Sequence, residues 1–229
     1  ELGRYRQAVR QLVQQELEPM GVRMENMTHL PEELIPMLAE AGLLKLTIPR
    51  EYGGWGLNMV QYAPILQEIA KGPGAIRLVV HGWNGIFMRG ILDFGTEEMR
   101  KKCRPLMAKG EWCAGYALTE PGTGTGMDIK TVAVREGDNY ILNGKKHLIS
   151  LADICNAFNA LAWTDRSLGR KGLTSFLVEK GSPGFSVVEM PQAMGNRGSF
   201  HAELIFNNCV VPKKNILGEV GQGIDIALG

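Results

Sequence analysis

Apolar residues in the first hundred positions recur every three to four places, the period of helices that bury one stripe. Leu2, Tyr5, Val9, Leu12 and Val13 place such a helix over residues 1–18, and Pro19 is expected to end it. His29-Leu-Pro31 opens a second helix, with Glu32 and Glu33 suited to its first turn. Leu34, Met37, Leu38 and Ala41 line its apolar face and Gly42 stops it. Ile48 to Leu57 is a turn-rich connector. Further helices are predicted over about 58–71, 76–93 and 97–109, the last behind an N-capping Thr96.

The pattern changes near Glu111. Alternating or β-branched runs appear at 112–118, 131–135, 139–149, 157–163, 174–178, 185–189 and 202–211. Asn143-Gly144, between Tyr140-Ile-Leu and Lys-Lys-His-Leu-Ile, reads as a two-residue hairpin turn. Helices followed by strands describe an α+β chain and argue against an alternating dinucleotide-binding fold. After Gly218 a helix barely begins before the chain ends. The expected division is a helical domain over 1–110, a β-domain over 111–216, and the start of a truncated helical domain over 217–229.

Composition narrows the class without naming a chemistry. The 229 residues are 45% hydrophobic and 21% charged, with net charge +1, so nothing draws the chain to nucleic acid. No apolar run approaches the length of about 20 residues that crosses a bilayer. Cys103, Cys113, Cys155 and Cys209 form no Cys-x-x-Cys pair, and buried reduced thiols are the simpler reading. The four histidines show no metal-ligand spacing, so no metal site is expected.

The candidate chemistry lies in Tyr116-Ala-Leu-Thr-Glu-Pro-Gly-Thr-Gly-Thr-Gly126. Two hydroxyls, Thr119 and Thr125, stand among glycines that let backbone and hydroxyl groups approach a bulky polar ligand. The same run also reads as an ordinary connection from helix to strand.

Four stretches, one of them inside this run, give the chain a family likeness. They are Ile48-Pro-Arg-Glu-Tyr-Gly-Gly54; Gly95-Thr-Glu-Glu-Met-Arg-Lys-Lys through Ala108-Lys-Gly-Glu111; Leu118-Thr-Glu-Pro121; and Met194-Gly-Asn-Arg-Gly-Ser199 before Glu203-Leu-Ile-Phe. In that order and spacing the chain resembles the acyl-CoA dehydrogenase family over nearly its whole length. The resemblance implies an N-terminal α-helical domain, a β-barrel-like or β-sandwich middle domain, and a C-terminal helical domain that this chain lacks. It implies an oxidoreductase that binds FAD and oxidises an acyl-CoA thioester to the trans-2-enoyl thioester, passing electrons to an electron-transfer flavoprotein. A homodimer or homotetramer, in bacterial cytoplasm or the mitochondrial matrix, also follows from the likeness.

Residue by residue, the likeness places Tyr116, Leu118 and Thr119 at the flavin's polar edge, with Thr119 as a hydroxyl donor. Leu148, Ile149 and Ser150 fall where the family has Trp-Ile-Thr beside the flavin ring. Thr125 matches a serine that reaches cofactor or CoA phosphates, and Ser199 matches a loop residue touching the CoA portion. Each also has a plain reading: Thr119 and Thr125 as turn hydroxyls, Ser150 as a strand end, Ser199 as solvated. Lys145-Lys146 and Lys213-Lys214 read as solvated pairs at turns.

The departures leave alternatives open. Gly124-Thr125-Gly126 replaces the family's Gly-Ser-Asp, the chain is one residue shorter before Lys130-Thr131, and Leu148 replaces a tryptophan. The family's catalytic carboxylate belongs to the C-terminal domain, so no catalytic residue is expected here, and Glu120 is a turn residue and not a base. This chain alone is expected to turn over little or nothing. An acyl-CoA oxidase or flavin monooxygenase of the same fold remains an alternative, as does a non-catalytic subunit that binds a CoA ligand.

Overall fold

A computed structural model describes residues 1–123 and 127–228 and divides them into two compact units. One comprises Glu1–Ile86, Lys102–Trp112 and Gln192–Phe200; the other comprises Phe87–Lys101, Cys113–Pro191 and the residues from His201 onward.

The first unit is helical: α1 (Leu2–Leu12), α2 (Glu18–Met24), α3 (Leu34–Glu40), α4 (Met59–Ile69) and α5 (Gly74–Asn84). Pro19 does not end the first helical run. A π-helical turn, Val13–Leu17, joins α1 to α2, and Pro19 falls in the first turn of α2. Glu18 N–H bonds back to Val13 O, so the ladder widens by one residue just before Pro19. The missing proline N–H therefore falls where the hydrogen-bond register shifts. Val9, Val13, Leu17, Met20 and Met24 continue one buried stripe straight across the proline. Asn58 and Gln61 form a capping box on α4.

The helix expected over 76–93 is two, α5 and α6 (Ile86–Phe94), broken at Gly85. Asn84, fully buried, anchors the end of α5. Its Nδ2 donates to Leu43 O at 2.7 Å and Val80 O at 2.8 Å, while its carbonyl accepts the Thr47 hydroxyl at 2.7 Å. Trp83 is buried and donates to Met107 O at 2.9 Å, and Trp55 lies against Tyr5, so both tryptophans are packing residues. Thr96 caps α7 (Glu97–Ala108) by accepting Met99 N–H.

The second unit carries β1 (Ala114–Ala117), β2 (Val132–Glu136), β3 (Asn139–Ser150), β4 (Ala157–Trp163), β5 (Leu173–Glu179), β6 (Phe185–Glu189), β7 (His201–Pro212), β8 (Ile216–Leu217) and the short α8 (Gly223–Leu228). The strands form one mixed sheet in the order β6-β7-β3-β2-β4-β5-β8, with β1 parallel to β4. Every residue of β4 is buried, Asn159 included, which explains why the strand shows no polar alternation. The chain is thus α+β, helical first and strand-rich afterwards.

Asn143-Gly144 is not a hairpin. It lies inside β3, and the tight turn is Gly137-Asp138, between Glu136 and Asn139. Gly144 (φ +153°) marks a register shift against β7, and a Cβ there would lie 2.7 Å from Thr131 Cα. Close strand approach therefore demands the glycine. Asn143 instead bonds across to Asn208 on β7.

The four cysteines are buried thiols outside any disulfide. Among the described residues no group of three metal-ligating side chains occurs, and no helix is long and apolar enough to cross a membrane.

Candidate functional site

The segment leaving β1 meets the end of β3 through a buried ion pair. Lys146 alternates inward on β3 behind Tyr140 and Leu142, and its side chain is 0% exposed. Its Nζ donates to Glu120 Oε1 at 2.8 Å and to Leu118 O at 3.2 Å. The expectation of a solvated Lys145-Lys146 pair is therefore wrong for Lys146: strand alternation sends the two neighbours to opposite faces. Glu120, 3% exposed, also accepts Lys130 N–H at 2.5 Å, Thr131 N–H at 3.1 Å and the Thr131 hydroxyl at 2.5 Å.

These contacts account for the charge states. Burial pushes the Glu120 carboxyl up, but the charge and hydrogen bond of the Lys146 ammonium, with the bonds from Thr131 and the Lys130 backbone, together bring it below its ordinary value. Burial pushes Lys146 down to about 8 against the upward pull of Glu120. The ammonium has three protons and two acceptors among the described residues, whereas the carboxylate is fully bonded. Glu120 is a structural anchor and not a base, as its place in the turn suggests.

The loop that carries Thr119 is tied to β3 next to this node. His147 N–H donates to Thr119 O at 2.8 Å, tying the loop to β3. The register then slips between Lys146↔Leu204 and Ile149↔Ala202, a β-bulge. Leu148 takes left-handed φ +57° there and exposes 54% of itself; Leu151, which follows Ser150, has the same φ but is buried. Left-handed backbone costs a non-glycine residue about 1–2 kcal/mol, so the surrounding bonds must hold it. The Thr119 and Ser150 hydroxyls, both half-buried, have no hydrogen-bond partner among the described residues.

Among the expected residues, Thr119, Leu148, Ile149 and Ser150 thus gather around one loop-to-bulge contact. Ile149 points inward, 3% exposed. Leu118 and Tyr116 turn their side chains into a cluster with Ile129, Leu161, Trp163, Leu173 and Ile224, and the Tyr116 hydroxyl donates to Ala227 O at 3.1 Å. Both therefore present backbone, not side chain, to any ligand beside Thr119. Thr125 lies outside the described residues. Ser199 belongs to the helical unit and is 2% exposed, so the solvated reading fails. Its segment is tied down by Gly198 N–H to Met27 O and Arg197 Nε–H to Glu25 O.

Residue reading missed Lys146 and the His147–Glu203 contact, in which His147 Nδ1 lies 3.1 Å from Glu203 Oε1. The two-residue period of β3 was the available signal for the first. Nothing in the sequence pairs the second.

Known proteins bear on this arrangement. The family model described as acyl-CoA dehydrogenase, N-terminal domain, matches residues 1–111, and the one described as acyl-CoA dehydrogenase, middle domain, matches residues 115–209. The short-chain specific acyl-CoA dehydrogenase of Clostridium acetobutylicum is 34% identical over 224 residues, covering 97% of this chain and 59% of that protein. The structure of an acyl-CoA dehydrogenase complexed with FAD from Bacillus anthracis superposes with TM-score 0.87 at 33% identity, covering 99% of this chain and 39% of that one. A prolyl acyl carrier protein oxidase superposes with TM-score 0.91 at 34% identity, covering 99% and 61%. The chain therefore spans about three fifths of the Clostridium relative's length. With two domains of one family matched in order across the helical and strand-rich portions, this chain belongs to the acyl-CoA dehydrogenase family.

Proposed function

We propose that this chain forms the flavin-binding part of an FAD-dependent dehydrogenase that introduces a trans double bond between the α and β carbons of an acyl-CoA thioester. The observation that carries the reading is the pair of hydroxyls, Thr119 and Ser150, without a partner among the described residues, near the Lys146–Glu120 node and exposed Leu148. Free hydroxyls at the mouth of a rigid loop suit the polar edge of a heteroaromatic ring, and Leu148 offers it an apolar contact. The residues present fit FAD, and bound FAD would supply the two-electron acceptor.

The chain's own residues then bind and orient. The Thr119 hydroxyl would donate to the polar edge of the flavin, an electrostatic stabilisation that fixed donors provide without reorganisation. The backbone at Tyr116 and Leu118 would line the approach, and the Ser150 hydroxyl would help to hold the flavin. Thr125 is proposed for phosphate oxygens. Ser199 is buried, and the proposal places no weight on it. None of the residues here is assigned the proton abstraction, and electrons would leave to an electron-transfer flavoprotein from a homo-oligomer.

A second reading, oxidation by dioxygen, draws on Leu148. A half-exposed leucine covers a ring less completely than an indole, and the carrier-protein oxidase with this fold shows that the architecture accommodates oxidases. Anaerobic addition of a short-chain acyl-CoA to the intact flavin-loaded protein is expected to bleach its visible absorption, and an electron-transfer flavoprotein to restore it. Rapid stoichiometric peroxide on admitting air would replace the dehydrogenase with the oxidase. Bound flavin that no acyl-CoA bleaches would overturn both, and a colourless protein that takes up no FAD would leave the non-catalytic ligand-binding subunit.

A further inference from the structure

Strand β3 is held from both faces in the residues just before left-handed Leu148. Inward, Lys146 is bound to Glu120 and Leu118 O. Outward, Glu203 on β7 takes both neighbours: Lys145 Nζ lies 2.5 Å from Oε2, and His147 Nδ1 lies 3.1 Å from Oε1. Successive strand residues point to opposite faces, so one carboxylate gripping positions 145 and 147 commits position 146 to the interior. The register agrees. Lys146 faces Leu204 and Ile149 faces Ala202, which leaves His147 and Leu148 both opposite Glu203. Two residues against one is the definition of a bulge.

We propose that Glu203 is a positioning residue for the hydroxyl site: by clamping Lys145 and His147 it fixes the bulge and, through it, the bond from His147 N–H to Thr119 O. That bond holds Thr119, Leu148 and Ser150 as one surface. The clamp follows from contacts within the strand-rich unit, whereas its consequence for a ligand rests on the flavin reading above. Glu203 itself touches no ligand. Its carboxyl is held below the ordinary value, chiefly by the Lys145 hydrogen bond and further by His147, against burial, so it grips as the carboxylate. The left-handed Leu148 cannot hold its own conformation, and this clamp is the device on its outer face.

Hydrogen–deuterium exchange and FAD titration of the intact protein test the clamp by independent readouts. Glu203→Ala is expected to speed exchange at the His147 and Leu148 amides about tenfold, the effect of losing a charge-assisted bond, and to weaken FAD binding by a similar factor. Amides at 140–142 of the same strand keep their protection. Glu203→Gln, which can still bond one neighbour, restores part of both effects. Lys145→Met removes one arm of the clamp and moves the same amides by a smaller factor, which keeps the test available if alanine unfolds the sheet. Uniform loss of protection along β3 and β7, or local loss with unchanged FAD affinity, would reduce Glu203 to a structural residue and overturn the proposal. Unchanged exchange would also overturn it. If the unsubstituted protein takes up no FAD, the flavin reading falls, and the exchange pattern still decides whether the clamp exists.

Discussion

Replacing Lys146 with methionine is expected to cost about 3–5 kcal/mol of folding stability, the range for removing one partner of a buried ion pair. That is a large part of the roughly 5–15 kcal/mol that holds a domain together. The cost arises in Glu120, left charged and buried with only Lys130 and Thr131 as donors. Urea unfolding measures it, and a double-mutant cycle with Glu120→Gln identifies its source. The double variant should recover most of the loss, because a neutral pair strands no charge. The neighbouring Lys145→Met, which removes a half-exposed ion pair to Glu203, should cost about 1 kcal/mol or less. Equal costs at 145 and 146 would show that the interior pair does not anchor the loop.

The same variant carries a pH signature with a definite sign. In the unsubstituted protein the Glu120 carboxyl is held below its ordinary value of 4.5, so its stabilisation is complete above that value and is lost as pH falls through the folded one. Without Lys146, burial pushes the carboxyl up instead, and protonation relieves the stranded charge. The stability gap between the two proteins should therefore narrow on acidification, first above pH 4.5 as the variant's raised carboxyl takes up its proton and then below 4.5 as the unsubstituted protein loses its own stabilisation. A gap that widens in acid contradicts the assignment.

The second large effect is expected at Gly144→Ala, at about 3 kcal/mol, the upper end for overpacking a close-packed interior. The new methyl would lie 2.7 Å from both Thr131 Cα and Thr131 Cβ, and backbone cannot yield as a flexible side-chain tip does. Its φ of +153° adds strain. Thr131 is also the residue whose hydroxyl and amide bond Glu120, so pushing β2 away disturbs the anchor as well as the strand pair. Thermal unfolding checks the size. Gly137→Ala, with nothing near its Cβ but a positive φ of +60°, should cost less, since it carries the backbone strain without the collision.

The order of helices and strands was readable because each element carries its own period. What escaped reading depended on neighbours that lie far along the chain. Pro19 carries the ordinary signal of a helix end, but the π turn before it shifts the hydrogen-bond register and the buried stripe runs on. Asn143-Gly144 has the chemistry of a hairpin turn, yet β2 passes so close to Gly144 that the glycine serves a straight, bulged strand. Lys146 looked solvated beside Lys145, although Tyr140 and Leu142 set a two-residue phase that sends it inward. Its partner, Glu120, is 26 residues away and invisible to any local pattern. Thr119 and Ser150 were named through the family likeness, and the structure adds that their hydroxyls have no partner among the described residues, on either side of a bulge contact. The burial of Ser199 could not be read from Gly-rich flanks, because Met24 and Met27 of a distant segment pack against and bond to its neighbour Gly198.

The central claim is that Thr119 and Ser150 hold a flavin. Titration of the flavin-free intact protein with FAD, followed by the change in visible absorption, tests it most directly with the Thr119→Val, Ser150→Ala double variant alongside. Two lost hydrogen bonds of about 1 kcal/mol each predict FAD binding weaker by roughly thirtyfold, with folding stability unchanged within about 0.5 kcal/mol. Equal FAD affinity in the two proteins, or no saturable FAD binding in either, would contradict the account.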